Sequence, residues 1–368
     1  MNDPFHGGPT STGFGIAELD YELPGELIAQ QPLPRRDASR LLVLDRSSGG
    51  LGDHAINDLP GLLRAGDLLV LNDTNVLPAK FSARRATGGV IRGLFERELV
   101  IGEWVIMLEG SRRLRTGESL IASAIDSHEH PVTLRLAESL GSGRWRVTVD
   151  PPGSAQDVLA RIGRTPLPPY IRRDDDEHDT DPEDRDRYQT VFARRPGAIA
   201  APTAGLHLTH ELLGQLGDAD VATATVTLHV GIGTFLPIRV SDLSEHRMHA
   251  EWFEVSDGAA EAVQACRGRG GRVVAVGTTS VRVLESAAAE DGDARCVRAE
   301  AGWTELFLYP PRRPRVVDAL LTNFHLPRST LLALVMSIAG VEGVRSAYRH
   351  AIDKRYRFYS YGDAMLIL

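Results

Sequence analysis

Two hydrophobic rhythms divide the chain. In 41–45 and 68–71 apolar residues run on without interruption, as Leu41-Leu42-Val43-Leu44 and Leu68-Leu69-Val70-Leu71. Such runs fit strands covered on both faces. Between them Ser47-Ser48-Gly49-Gly50 predicts a turn, and 58–64 a short helix. From 81 to 150 the period becomes two. Val132, Leu134 and Leu136 alternate with Thr133 and Arg135, and Trp145, Val147 and Val149 alternate with Arg146 and Thr148. Each such strand keeps one wet face. Gly88-Gly89, 115–117 and 141–143 read as turns, and no helical period interrupts them. The stretch 81–150 is therefore expected to fold as an inserted small antiparallel β-barrel domain with at least four strands.

From 151 strands and helices alternate. The pattern predicts a helix over 154–162 capped by Ser154, a loop through 174–186, a strand over 221–230 and a helix over 257–266 capped by Ser256. A buried strand over 273–276 runs straight into a further helix, and 316–322 and 329–339 read as strand and helix. This order predicts an α/β fold with a mostly parallel sheet and helices on both faces. Residues 19–80 and 151–368 would form the α/β catalytic domain, with 1–18 a disordered tail. In such sheets ligands gather at the carboxyl ends of the strands.

Composition narrows the function classes. The net charge of −8 argues against a nucleic-acid partner, yet the charge is uneven. Nine acids and one Arg fall in 174–186, and the remainder holds 40 acidic and 40 basic side chains. Of the 41 basic residues only Lys80 and Lys354 are lysine. Clusters at Arg84-Arg85, Arg112-Arg113-Arg115, Arg194-Arg195 and Arg312-Arg313-Arg315 suit phosphates, because a guanidinium binds them bidentately. Charge alone thus leaves RNA open. The longest apolar helix candidate, 331–340, has about half the ~20 residues a membrane span needs. The start of the chain lacks a basic flank and an apolar block, and Cys266 and Cys296 form neither a disulfide framework nor a zinc pattern. A cytoplasmic chain with no membrane segment is expected.

Four strand-end segments carry candidate chemistry. Asn72-Asp73-Thr74-Asn75 can be a plain turn, or can aim a carboxylate into a cleft. Ala201-Pro202-Thr203-Ala204-Gly205-Leu206-His207 has small residues that admit a ligand, with His207 as an acid, a base or merely a packed side chain. Leu228-His229-Val230-Gly231-Ile232-Gly233-Thr234 has too few glycines for a dinucleotide fingerprint but could pass under a nucleoside. Just beyond it, His246 and His249 with Glu245 and Glu251 lack the His-Glu-x-x-His order, so no metal site is expected. Val276-Gly277-Thr278-Thr279-Ser280-Val281-Arg282 places a helix start at a strand end, which is a ready anion site as well as a capped helix. No P-loop and no Gly-x-Ser-x-Gly elbow is present.

Together these strings resemble the S-adenosylmethionine:tRNA ribosyltransferase-isomerase family of queuosine biosynthesis. The similarity also covers Tyr21-Glu22-Leu23-Pro24, Arg36-Asp37-Ala38-Ser39-Arg40-Leu41, Arg187-Tyr188-Gln189-Thr190-Val191, 318–327 with Ser329-Thr330-Leu331, and 356–367. The resemblance implies an α/β domain with an inserted barrel. It also implies transfer and isomerisation of the ribosyl part of S-adenosylmethionine onto 7-aminomethyl-7-deazaguanine at the tRNA wobble position, giving epoxyqueuosine, adenine and methionine. No metal or bound cofactor is implied, S-adenosylmethionine being a substrate, and a monomer is expected. Such chemistry needs a base beside the sulfonium, an acid for adenine and a neutral attacking amine. His207, His229, His249, His325 and Asp73 are the catalytic candidates. Asn72, Thr203, Gly205, Gly231, Gly233, Thr234, Glu251, Thr278, Thr279, Ser280, Arg282, Asn323 and Asp363 are the binding candidates. Asn75 and Lys80 stand where the family places Arg, Leu208 stands for Phe, and Glu109-Gly110-Ser111 replaces a basic stretch. These departures leave two alternatives, an enzyme using S-adenosylmethionine on a small molecule without RNA, and an inactive binding homologue.

Overall fold

A computed structural model describes residues 13–125, 130–173, 182–231, 233, 238–289 and 295–368. Nine strands form one sheet, in the order Glu300–Thr304, Glu251–Val255, Ala222–Leu228, Leu68–Asn72, Val273–Val276, Ala319–Asn323, Ala364–Ile367, Arg40–Leu44 and Leu51–Ala55. The four strands from Ala222–Leu228 to Ala319–Asn323 are mutually parallel. They are the continuous apolar runs, and Leu68–Asn72, Val273–Val276 and Ala319–Asn323 are buried along their whole length. Leu68 and Val70 pack into the core on one face, and Leu69 and Leu71 into the core on the other. The helices Asp257–Gly268, Gly277–Ser286, Thr330–Ala339 and Val341–Asp353 cover the first face, and His210–Asp218 covers the second.

The expectation of a mostly parallel sheet requires correction, because the sheet is mixed. Four of its eight strand pairs are antiparallel, namely those joining 300–304 to 251–255, 251–255 to 222–228, 319–323 to 364–367 and 40–44 to 51–55. The parallel reading came from the strand–helix alternation over 221–322. It passed over the strands Glu251–Val255 and Glu300–Thr304 within that range and Ala364–Ile367 beyond it, and Glu251–Val255 keeps only one face buried.

The stretch read as an inserted β unit forms a closed six-stranded antiparallel barrel, Lys80–Arg85, Val90–Val100, Glu103–Leu108, Ser119–Ala122, Val132–Gly141 and Arg144–Asp150. Its alternating residues Leu134, Leu136, Trp145 and Val147 fill the interior with Phe81 and Trp104. That core continues past the strands into the helix Ala155–Ile162, whose Ala155, Val158, Leu159 and Ile162 pack against it. Ser154 caps this helix by accepting from Asp157 N, and Ser256 caps the next by accepting from Ala259 N. Two local readings change. Pro182–Arg187 is a short helix where a loop was expected, the rest of the acidic run (174–181) lying outside the described residues. Of the supposed tail, 1–12 also lie outside them. Ile16–Leu19 forms a 3-10 turn held by Ile16 N donating to Ser241 O. Among the described residues no single helix is long and apolar enough to cross a membrane.

The carboxyl-terminal strand is anchored by Asp363, a binding candidate in the sequence. Its Oδ1 accepts from Arg40 N at 3.0 Å, and its Oδ2 from Arg40 Nε, Arg40 Nη2 and Arg357 N at 3.2, 3.1 and 2.8 Å. The Arg40 guanidinium lies 4.1 Å from the Tyr356 ring centroid. These bonds use both carboxylate oxygens to join 357–363 to strand 40–44. Asp363→Ala is expected to cost about 3 kcal/mol, as for breaking a buried ion pair. A lowered urea midpoint with retained secondary structure would show it.

Candidate functional site

Because the central strands are parallel, Val273–Val276 and Ala319–Asn323 end side by side, with Val276 opposite Leu321. A cleft of about 110 Å³ opens at these ends. The Ala200–Ala204 segment, the helix start Gly277–Thr279, Asn323, His325, Tyr170 and Tyr359 line it. Gly277 has φ +85, a conformation that a side chain would strain, and a Cβ there would sit 3.7 Å from Ala204 Cβ. No side chain caps the helix, so its first-turn amides lack the usual partner. Ser280 Oγ turns back to Val276 O at 2.8 Å, while Thr279 Oγ1 is buried without a hydrogen-bond partner.

Arg282, one turn on, is tied into the frame. Its Nη1 pairs with Glu251 Oε2, and its Nε and Nη2 donate to Leu306 O and Thr304 O. Glu251 Oε1 accepts from Gly231 N at 2.7 Å. Both charged groups are buried. Arg282 and Glu251 thus hold the helix start against the 229–231 loop, and this pairing occupies the guanidinium that could have taken a ligand carboxylate.

Of the four candidate histidines, His325 lines the cleft. Its Nε2 is 2.8 Å from Thr322 Oγ1, and burial pushes its pKa down to about 3. His207 lies behind the cleft wall, with Nε2 3.1 Å from Asn323 Nδ2. Burial lowers its pKa to about 4, partly offset by a hydrogen bond to the Arg36 backbone. Both rings are neutral at pH 7.

A second cluster forms where the chain leaves strand Leu68–Asn72. Asn72 Oδ1 accepts from Thr74 N and Leu228 N, and its Nδ2 donates to Leu228 O, so the amide is spent on joining two strands. Asp73 accepts from Thr227 Oγ1 at 2.6 Å and from Arg194 Nη2 at 3.0 Å. Thr74 Oγ1 meets His229 Nδ1 at 2.8 Å, and the His229 ring stacks on Trp252 with centroids 5.0 Å apart. On the ring's other side the chain passes so close at Gly197 that a Cβ there would sit 2.7 Å from three ring atoms. Burial lowers the His229 pKa, with Asp73 pulling the other way.

The remaining candidates do not converge. His249 is exposed beside Gly233, Gly205 packs under Phe192 and Thr190, and Thr234 lies outside the described residues. Thr203 and Thr278 line the cleft. Asp73, Glu251 and Asp363 do not, so none of the candidate carboxylates is among the lining residues. No three described His, Cys, Asp or Glu residues are placed to hold a metal. Sequence reasoning missed Tyr170, Tyr359 and Ser360, whose hydroxyls and rings close the cleft, with Tyr170 Oη 2.7 Å from Ser360 Oγ. It also missed Trp252, and it read Arg194 as part of a phosphate-binding cluster rather than as the partner of Asp73. The signals missed were isolated aromatic residues with no spacing rule to join them.

Ring-nitrogen NMR tests these histidines. At pH 5, where an exposed imidazole is mostly charged, His207 and His325 are expected to remain neutral. Because their folded pKa values lie below the unfolded ~6.5, their contribution to stability is complete above pH 6.5. It is lost as pH falls toward 4 and 3. Charged rings at pH 5 would contradict the burial.

Comparison with known proteins agrees with the architecture. The model of a family described as queuosine biosynthesis protein matches residues 16–367. The S-adenosylmethionine:tRNA ribosyltransferase-isomerase of Anaeromyxobacter sp. (strain Fw109-5) is 51% identical over 96% of this chain and 98% of its own. Its namesake in Geobacter metallireducens is 47% identical, over 96% and 99%. The crystal structure of an S-adenosylmethionine tRNA ribosyltransferase from Thermotoga maritima matches 95% of this chain and 100% of its own, at 34% identity and a TM-score of 0.53. A match of this length and identity, across both the sheet and the barrel, places the chain in the queuosine biosynthesis protein family, among the S-adenosylmethionine:tRNA ribosyltransferase-isomerases.

Proposed function

We propose that the chain transfers and isomerises the ribosyl group of S-adenosylmethionine onto the aminomethyl-deazaguanine of a tRNA wobble position, releasing adenine and methionine. The near-complete coverage of relatives about 50% identical carries the reaction. The enzyme acts as a cytoplasmic monomer and uses no bound cofactor, since the sulfonium itself acidifies the neighbouring carbon. The cleft at the strand ends takes the sulfonium substrate. With no carboxylate among the described lining residues, the positive sulfur is held by the Tyr170 and Tyr359 rings, which favour a cation over their faces. His325, neutral and inside the cleft, is the base for that carbon. His229, clamped between Trp252 and the Gly197 backbone, takes the proton from the incoming amine.

The RNA lies over the other end of the site. Trp252 pairs across strands with Trp303, so His229, Trp252 and Trp303 form one row on the same sheet face. Trp303 is 62% exposed on an edge strand. An exposed indole suits the unstacked bases of an anticodon loop.

Adenine release is the direct test. With S-adenosylmethionine and tRNA bearing the aminomethyl base, turnover is expected only when both are present. Equal release without RNA would favour a small-molecule acceptor, and no release with both would favour an inactive homologue. His325→Ala and His229→Ala should each lower turnover roughly 10²-fold or more. Near-normal turnover in both would remove histidine from the mechanism. Trp303→Ala should weaken tRNA binding by about tenfold, the value of one stacked base, and leave S-adenosylmethionine affinity unchanged. Unchanged tRNA affinity would move the RNA elsewhere.

A further inference from the structure

Asn323 ends the buried strand Ala319–Asn323 and is 2% exposed. Its Nδ2 donates to Tyr359 O at 3.0 Å. A backbone carbonyl only accepts, so this bond fixes which end of the amide is nitrogen. The second Nδ2 hydrogen meets His207 Nε2. His207 also bonds the Arg36 backbone in a way that favours a protonated ring nitrogen there, which leaves Nε2 as the acceptor. Both amide hydrogens are thus committed, and the amide cannot turn over. Its Oδ1 is buried and has no hydrogen-bond partner. An unsatisfied buried acceptor costs about 1–3 kcal/mol, so a side chain held this way in a cleft wall is placed to meet a donor.

The donor's identity follows from what lies beside it. Val276 is opposite Leu321, so Thr278 and Asn323 each stand two residues beyond a paired position, at neighbouring points of the cleft. Thr278 belongs to the uncapped helix start, where free amides favour an anion. An acceptor next to an anion site matches a ligand whose cation and anion share one carbon, an α-amino acid. No Asp or Glu lines the cleft among the described residues, so an ammonium there turns to a neutral acceptor. Thr279 Oγ1, the cleft's other partnerless buried polar atom, adds a hydroxyl on the anion side.

We propose that the cleft reads the amino-acid end of its sulfonium substrate as a zwitterion, with the Gly277–Thr279 helix start taking the carboxylate and Asn323 Oδ1 the ammonium. His207 is a positioning residue that holds the amide in register. The proposal rests on S-adenosylmethionine being the substrate, and it adds the residues that distinguish that substrate from sulfonium or thioether nucleosides lacking an intact amino-acid end.

Calorimetric titration of three ligands separates the two ideas: S-adenosylmethionine, its analogue with hydrogen in place of the α-ammonium, and decarboxylated S-adenosylmethionine. The wild-type chain should bind the deaminated analogue at least tenfold more weakly than the parent, the loss expected for one hydrogen bond to a charged group. Asn323→Leu should bring that ratio close to one while keeping the penalty for the missing carboxylate. Should Asn323→Leu fail to fold, Asn323→Ser is read in the same way. His207→Phe should lower the ratio, and His207→Gln, which keeps an acceptor toward the amide, should restore it. A ratio unchanged in the Asn323 variants would overturn the assignment while S-adenosylmethionine binding stands. A wild-type chain that binds none of the three would overturn the substrate itself.

Discussion

The buried pair of Arg282 and Glu251 is the interaction on which the site depends. One guanidinium bonds a carboxylate and two backbone carbonyls, and the carboxylate also takes the Gly231 amide. Four separate pieces of chain meet there: the helix Gly277–Ser286, the strand Glu251–Val255, the 304–306 segment and the 229–231 loop. Removing either partner would strand a charge in the interior, at a cost of about 3–5 kcal/mol. The geometry of the cleft follows from it. The helix start cannot drift from the strand ends, and the loop carrying His229 is fixed relative to the helix carrying Thr278 and Thr279.

The parallel core gathers the groups of the cleft. Parallel strands bring Val276 and Asn323 to one edge, where backbone amides, the Asn323 carbonyl oxygen and tyrosine rings face a common space. The chain leaves the core through Asn72-Asp73-Thr74, and each of those side chains bonds a neighbouring strand or loop. That exit places His229 and Trp252 beside the cleft without placing them in it. His325 in the cleft and His229 beside it would serve a reaction in which one proton leaves the sugar and another leaves the incoming amine.

Much of this was legible from residue order. The uninterrupted runs at 68–71 and 273–276 are buried strands, the alternation at 132–136 and 145–149 builds the barrel, and Ser154 and Ser256 cap the helices they were read to cap. These signals are local, and each depends on a period of two or on a single side-chain bond. The reversed strands were not legible, because strand direction depends on partners dozens of residues away, such as Leu320 and Ile367. Val341–Asp353 went unread although Val344, Ala347, Tyr348 and Ala351 are buried at helical spacing. It follows another helix directly at Gly340, with no loop between them to mark its start. At the site, residue type did not separate Asp363 from Asn323. One bonds Arg40 and Arg357 through both its oxygens, and the other keeps an acceptor unused.

The central claim is that the strand-end cleft between Tyr170, Tyr359 and the Gly277 helix start is where S-adenosylmethionine binds. A crystal structure of the chain soaked with S-adenosylmethionine tests it most directly. The account predicts density in that cleft, with the methionine end at Thr278 and Asn323 and the sulfur against the tyrosine rings. Density instead in the groove beside the helix Ala155–Ile162, against Asn75, Gln189 and Pro196, with the strand-end cleft empty, would contradict it.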